Sequence, residues 1–498
     1  MANSPSTSYK SILKATSLLG SVRVFVIIVA VVKNKIIAVM LGPAGIGLLG
    51  IFTSTLTLIN SICDLGITKS SVRNIAEANA GEDKRQVGKI YNIFIKLLYS
   101  LSIVGAVFTA TFSRQLSIWS FGTDLYKWSF VALAFAVFFN SISFGQLAVL
   151  QGLRKFRFLA KASSIGAVVG LIVSIPLFYF FKEKGIVPSL ILSGVTAFLL
   201  STFYVNKLRI QHDAVSKQEM ITHGMDMAKL GISMMLVSFM VAMSGYVLKA
   251  YLSNNAGIDT VGIFQAGFTI VSSYFGVVFT AMSTDFFPRI SAVNKDNTQI
   301  EAEINRQSVI LLLLLSPLVV CLLYLMPLFI TGLYSSKFIL AGEYVNTAIL
   351  GIVFFAIGQL FSMILLAKNN AKVFILFTFL MQLCFLLNSL FFFKIGGIKG
   401  MGIAYSINMT VYALSILFII YKLYSIKLSK QSYIIMGIVL AFTSFSVLLK
   451  DINPLWLRYS IAGILFVASS YYSINAFKKI LEILSIWEFI KSKLKNKL

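Results

Sequence analysis

The chain has 498 residues, 58% of them hydrophobic and only 12% charged, with a mean hydropathy of +0.87. A soluble protein of this size has too little interior to hide so much apolar surface, so the chain reads as an all-α integral membrane protein. The formal charge of +25 argues for a basic membrane face and against a nucleic-acid binder, because the basic residues are scattered in short loops between apolar runs.

A helical span needs about 20 mostly apolar residues. Runs of that kind fall near 17–41, 43–68, 88–111, 127–152, 162–181 and 186–206. A polar break follows, "KLRIQHDAVSKQEMITHGMDMAK". A second set lies near 229–251, 260–287, 308–331, 344–367, 373–393 and 400–422, with two further runs at 433–449 and 458–477. The expected total is fourteen transmembrane helices. The first run has no small-residue cleavage site and continues as a span, so it is not read as a signal peptide. The apolar runs are continuous, unlike the alternating strands of a membrane barrel.

The even-numbered connections and the two ends carry 29 of the 43 Lys and Arg residues, and the odd-numbered connections carry 9. Both termini are therefore expected on the cytoplasmic side. The tail "KKILEILSIWEFIKSKLKNKL" spaces Ile480, Ile483, Trp487, Ile490 and Leu494 along one helical face, among lysines. That pattern suits either a helix on an anionic leaflet or a basic tail that fixes topology.

Short matches recur in order along the two halves. "AGIGLLGIF" at Ala44 returns as "AGIDTVGIF" at Ala256, "SVRNIA" around Arg73 as "FPRISA" around Arg289, "GQL" at Gly145 again at Gly358, and "KG" at Lys184 again at Lys399. Spans 1–6 and 7–12 are thus two copies of one unit, both facing the same way, with a cavity expected between them as in alternating-access transporters. The expected domains are a first lobe over 1–206, a cytoplasmic linker over 207–228, a second lobe over 229–422, spans 13 and 14 over 423–477, and a basic tail over 478–498.

Five cations fall inside spans: Arg23, Lys33, Lys35, Lys96 and Lys249. A cation at the bilayer centre costs roughly 2.5–3.5 kcal/mol on insertion scales, so each needs a reason. Snorkelling to an interface is one, above all for Lys33, Lys35 and Lys249 near helix ends. Drawing an anion into a cavity is the other, and it suits Arg23 best. Phosphate is the natural anion, since guanidinium and ammonium groups bind its oxygens through charge-assisted hydrogen bonds. Of the acids, Asp64 and Asp285 come nearest the apolar core. Asp285 precedes Arg289 by four residues, the favourable order for a helical pair, and the two are candidates for a gate. Ion coupling through Asp64 or Asp285 is the lesser role.

Cys63, Cys321 and Cys384 lie in apolar runs at spacings that match no metal site, and His212 and His223 sit in one polar loop. No metal, cofactor or catalytic residue is expected. A membrane glycosyltransferase or polymerase would need a large polar loop bearing carboxylates, and the extracytoplasmic loops are too short to hold one.

"AVMLGPAGIGLLGIF", "LQGLRKFRFLAK" and "AMSTDFFPRISAV" resemble the polysaccharide flippases of the superfamily that also holds the multidrug and toxin extruders, and within them the Wzx-type O-antigen flippases. The resemblance runs over essentially the whole chain. It implies two six-helix lobes plus two helices in a bacterial inner membrane, and a substrate of undecaprenyl-pyrophosphate-linked oligosaccharide carried from the cytoplasmic to the periplasmic leaflet. An arginine of the first span helps to bind the pyrophosphate in such proteins, and Arg23 matches that place. Lys249 matches only by its position in the repeat. Membrane lipids are expected partners, polysaccharide polymerase and chain-length proteins are candidate ones, and the expected state is a monomer. The alternatives are the flippase for the lipid II peptidoglycan precursor, which also needs a cationic cavity, and a multidrug extruder, which would be expected to use membrane carboxylates.

Overall fold

The computed structural model describes the backbone of residues 5–81, 84–210 and 217–495. Side chains are described over the same ranges except at 5–19, 84, 217–223, 226, 228–230, 277, 280, 281, 283–285 and 480–495. The described residues form helices and connections, with no strand among them. In chain order the helices are α1 Pro5–Cys63, α2 Ile67–Ala80, α3 Lys84–Thr111, α4 Ser113–Phe121, α5 Lys127–Gly152, α6 Phe156–Phe181, α7 Ile186–Asn206 and α8 Lys217–Ala256. They continue as α9 Ile258–Thr269, α10 Phe275–Ala292, α11 Asn297–Tyr324, α12 Met326–Leu333, α13 Ala341–Ala367, α14 Ala371–Tyr424, α15 Lys430–Leu449 and α16 Leu455–Lys495.

Ten stretches among the described residues are long and apolar enough to cross a membrane. They differ from the fourteen expected spans at four places. Three stretches, Gly20–Cys63, Phe156–Asn206 and Ala371–Tyr424, run 44, 51 and 54 residues, about twice what one crossing needs. Each is interrupted near its middle. In α1 the break is Gly42, whose φ of 69° only glycine adopts readily, followed by Pro43, which cannot donate to the preceding turn. A short 3₁₀ turn, Lys182–Gly185, separates α6 from α7, and Gly396 and Gly397 break α14. The fourth difference is the expected eighth span, which is divided by a π-helical turn, Ile270–Tyr274, between α9 and α10.

Several hydroxyls inside the apolar helices are satisfied by the backbone one turn earlier. Ser54 donates to Gly50 O, Thr55 to Ile51 O, Ser102 to Leu98 O and Thr109 to Gly105 O. That arrangement keeps polar groups in a span from being left without a partner in lipid. Trp119, Trp128, Tyr179, Trp456 and Tyr459 are exposed beside the connections that carry few basic residues, as in an interfacial aromatic belt.

The chain divides into two compact units. The first takes residues 1–266 with 332–338 and 375–386; the second takes 267–331, 339–374 and 387–498. In the first unit α5, α6 and α7 pack on one another and α3 packs on α5, around a buried cluster that includes Phe94, Ile142, Val149 and Leu150. Helix α8 lies along the second half of α1. The two copies of the repeated glycine motif meet within this unit: a Cβ on Gly47 would collide with the Ile258 carbonyl, and one on Gly262 with the Pro43 carbonyl. Farther along, Gly66 (φ 69°) and Gly231 touch backbone to backbone, again with no room for a side chain.

In the second unit α11 packs against α13, α15 and α16. Its start is fixed by Asp296, whose carboxylate accepts the backbone N–H groups of Thr298 and Gln299 at 2.9 and 3.1 Å. Ser429 caps α15 in the same way, through Ser432 N–H.

Candidate substrate site

The first unit gathers the lysines singled out in the sequence. Lys249 on α8 donates to Ser54 Oγ at 2.6 Å and to Gly50 O at 3.4 Å, one turn apart on α1. Lys33, on the first half of α1, donates to Ser193 Oγ of α7 at 3.4 Å, with its ammonium 6.0 Å from the centroid of the Phe178 ring. Lys35 donates to the Tyr334 carbonyl at 2.6 Å. All three are half-buried. Hydroxyl and carbonyl oxygens solvate these cations, and neither Lys33 nor Lys249 forms an ion pair with a described carboxylate. Their charge is therefore hydrogen-bonded but not neutralised, and in a low-dielectric wall such a charge attracts an anion.

Arg23 and Lys96 stand apart from that group. Both side chains are exposed, Arg23 on α1 and Lys96 on α3.

Beside Lys33, the partner Ser193 also lines a cavity of about 670 Å³ inside the first unit. Its wall comes from α1, α2, α3, α5, α7 and α8. Asp64 lies in this wall, at the turn between α1 and α2, and accepts both the backbone N–H and the hydroxyl of Thr68. Lys69 also lines it and donates to Ser238 Oγ of α8 at 3.2 Å. Asn60, Asn140, Ser141 and Gln151 add to the polar part, with Ser141 donating to Asn60 Oδ1 at 2.8 Å and Asn140 donating to the Ala136 carbonyl.

These amides escaped the search for charged residues, yet they left a signal. "NSI" occurs at Asn60 and again at Asn140, each inside an apolar span. A carboxamide in lipid is costly unless it finds a partner, so two such groups in neighbouring helices point at each other or at a cavity.

In the second unit Arg289, half-buried on α10, donates to Glu303 Oε2 at 2.8 Å and to Gln307 Oε1 at 3.0 Å, both on α11. Glu303 also accepts from Arg306 at 3.2 Å. The Asp285 side chain lies outside the described residues, as do His212, His223 and the side chains of the tail beyond residue 479.

This architecture, all-helical among the described residues with ten apolar stretches and lysines held on oxygen atoms within them, is that of a multi-pass membrane protein. Solved structures share this fold. The lipid II flippase MurJ in an inward closed conformation superposes with a TM-score of 0.70 at 15% identity, over 93% of this chain and 99% of that one. An inward-facing multidrug resistance MATE family transporter gives 0.67 at 15% identity, over 82% and 94%. A MOP superfamily transporter from Pyrococcus furiosus, described as having a binding pocket of reversed polarity, gives 0.59 at 15% identity, over 86% and 96%. No curated protein matches the sequence. A profile of the polysaccharide biosynthesis protein family matches residues 12–294, more than half of the chain, and the chain belongs to that family.

Proposed function

We propose that this protein is a flippase that carries undecaprenyl-pyrophosphate-linked oligosaccharide, an O-antigen-type repeat unit, from the cytoplasmic to the periplasmic leaflet of a bacterial inner membrane by alternating access. It catalyses no bond change. The observation that carries the reading is the pair Lys33 and Lys249, two ammonium groups inside apolar helices whose partners among the described residues are uncharged oxygens and, for Lys33, the Phe178 ring. A pyrophosphate diester supplies the missing negative charge in a form that ammonium and guanidinium groups bind well. Arg23, Lys35 and Lys96 add to the positive path, with Arg23 making first contact with the pyrophosphate. Family membership favours a glycan as the rest of the cargo.

The cavity beside Asp64 and Asn60 would receive the part of the glycan nearest the pyrophosphate, since hydroxyls and carboxamides line it. With the membrane potential negative inside, each negative charge moved outward gains about 2.3 kcal/mol per 100 mV, so export of the anion needs no coupling ion. A cycle of protons or sodium through Asp64 is the lesser route.

Complementation of a flippase-deficient strain tests the reading. Lys249→Ala and Arg23→Ala should each abolish complementation at unchanged membrane abundance, and Arg23→Lys should restore part of it. Full activity in both alanine variants would remove these cations from the site.

A second reading has the same cationic chemistry behind it, namely carriage of a lipid II type precursor, as the MurJ name suggests for that neighbour. Defined substrates bearing either a glycan or a peptide on the same polyprenyl pyrophosphate separate the two.

A further inference from the structure

Away from the first unit, α15 and α16 enclose a groove of about 680 Å³ whose wall has a particular composition. Lys430 and Gln431 stand at the start of α15, and Asn475 and Lys479 face them from α16. Ile434, Ile435, Tyr471, Tyr472 and Ala476 make the remainder. Among the described residues no acidic side chain lines it. Two carboxylates of the adjoining α11 are engaged elsewhere: Glu301 accepts the backbone N–H of Lys427 at 2.8 Å, and Glu303 accepts from Arg289 and Arg306. Lys430 and Lys479 are both exposed.

The groove thus pairs two cations and two carboxamides with an apolar wall. That wall continues into exposed apolar side chains on the same two helices, Ile434 and Tyr433 on α15 and Tyr471, Ile474 and Val467 on α16. Lysines and carboxamides at one end with aliphatic and aromatic surface at the other match an anion attached to a hydrocarbon chain. The volume falls within the range of small-ligand sites. The groove also lies at the end of α15 and α16 that carries Lys427, Lys430, Lys478 and Lys479, where the positive-inside rule places the anionic inner leaflet.

We infer that this groove is a binding site for an anionic phospholipid of the bilayer, with the phosphodiester held by Lys430 and Lys479 and an acyl chain along Ile434 and Tyr471. The occupant is a resident lipid and not the cargo, and nothing in the inference depends on which substrate is carried. Its role is to clamp the ends of α15 and α16 to the inner leaflet.

Native mass spectrometry of the full chain in detergent, titrated with phosphatidylglycerol or phosphatidylcholine, tests this. The protein should retain phosphatidylglycerol at concentrations about tenfold below those needed for phosphatidylcholine. Lys430→Ala with Lys479→Ala should erase that tenfold preference, whereas Lys430→Arg with Lys479→Arg should keep it. Lys450→Ala, at the opposite end of α15, should leave it unchanged. Inorganic phosphate at millimolar concentration should not displace the lipid. A tenfold preference that persists in the double alanine variant would overturn the assignment. Displacement by inorganic phosphate alone would overturn it too, by making the site one for free phosphate.

Discussion

Arg73 and Arg289 occupy matching places in the two copies of the repeat, yet they have very different surroundings. Arg73 is exposed on α2, paired at 2.7 Å with Glu77 one turn on, both side chains more than 60% exposed. Arg289 is drawn into the contact between α10 and α11, where it ties Glu303 and the buried Gln307. The glycine motifs of the two copies behave in the opposite way. Both are used, against each other, at a close backbone contact between α1 and α9. Close packing is thus the part of the repeat that both copies still use, while the charge of one copy has become structural and that of the other has stayed at the surface.

The sharpest way to break this comparison is to fill the shared contact. Gly47→Leu and Gly262→Leu both force a side chain into backbone, where overpacking costs about 1–3 kcal/mol. Each should lower the thermal midpoint in detergent by several degrees, and the two variants should suffer alike. A tolerant Gly262 beside an intolerant Gly47 would show that only one copy depends on the contact.

Next in size is Arg289→Ala, which strips two charge-assisted hydrogen bonds from α11. Bonds to charged groups contribute about 1.5–3 kcal/mol each, so thermal stability should fall clearly, and transport with it. Arg289→Lys should recover less than half, because one ammonium cannot fork to both Glu303 and Gln307. If Asp285 forms the hypothesised gate with Arg289, exchanging the two residues should restore some transport that either neutral variant loses.

A smaller effect is expected at the start of α11. The backbone N–H of Gln299, then its side-chain amide and the Thr298 N–H, hold the Asp296 carboxyl below the usual carboxylate value. A lowered pKa in the folded state means that the stabilisation is complete above the ordinary carboxylate pKa. It is lost as the pH falls through the folded value. Thermal melts from pH 7 down to pH 3 should therefore show a slight acid-dependent loss that Asp296→Asn, still an N-cap, flattens. The smallest effect belongs to Arg73→Ala. An exposed pair within one helix contributes almost nothing measurable, so the melting point should not move.

Much of the fold was legible because lipid imposes a simple rule. Apolar runs of span length had to be helices, and Gly42-Pro43 or Gly396-Gly397 had to interrupt them. The π-helical turn at Ile270–Tyr274 was not legible, since "IVSSY" carries neither proline nor glycine. At the site the sequence singled out Lys33 and Lys249 by the cost of a charge in a span, but it held no trace of Ser193 or Ser54 as their partners. Those contacts join residues 160 and 195 positions apart, and no local periodicity encodes such a meeting. The Asn60–Ser141 pair was hidden for the same reason, although its polar residues stood in view within apolar runs.

The central claim is that cations in the first unit bind the pyrophosphate of a lipid-linked glycan. Purified protein in liposomes, loaded with undecaprenyl-pyrophosphate oligosaccharide and held at a valinomycin-clamped potential, tests it most directly. The wild type should move the glycan toward the positive side, faster as the potential grows, and the double variant Arg23→Ala, Lys249→Ala should fall to the rate of empty vesicles. Glycan transport unchanged in that variant, or a protein that moves organic cations and leaves the glycan in place, would contradict the account.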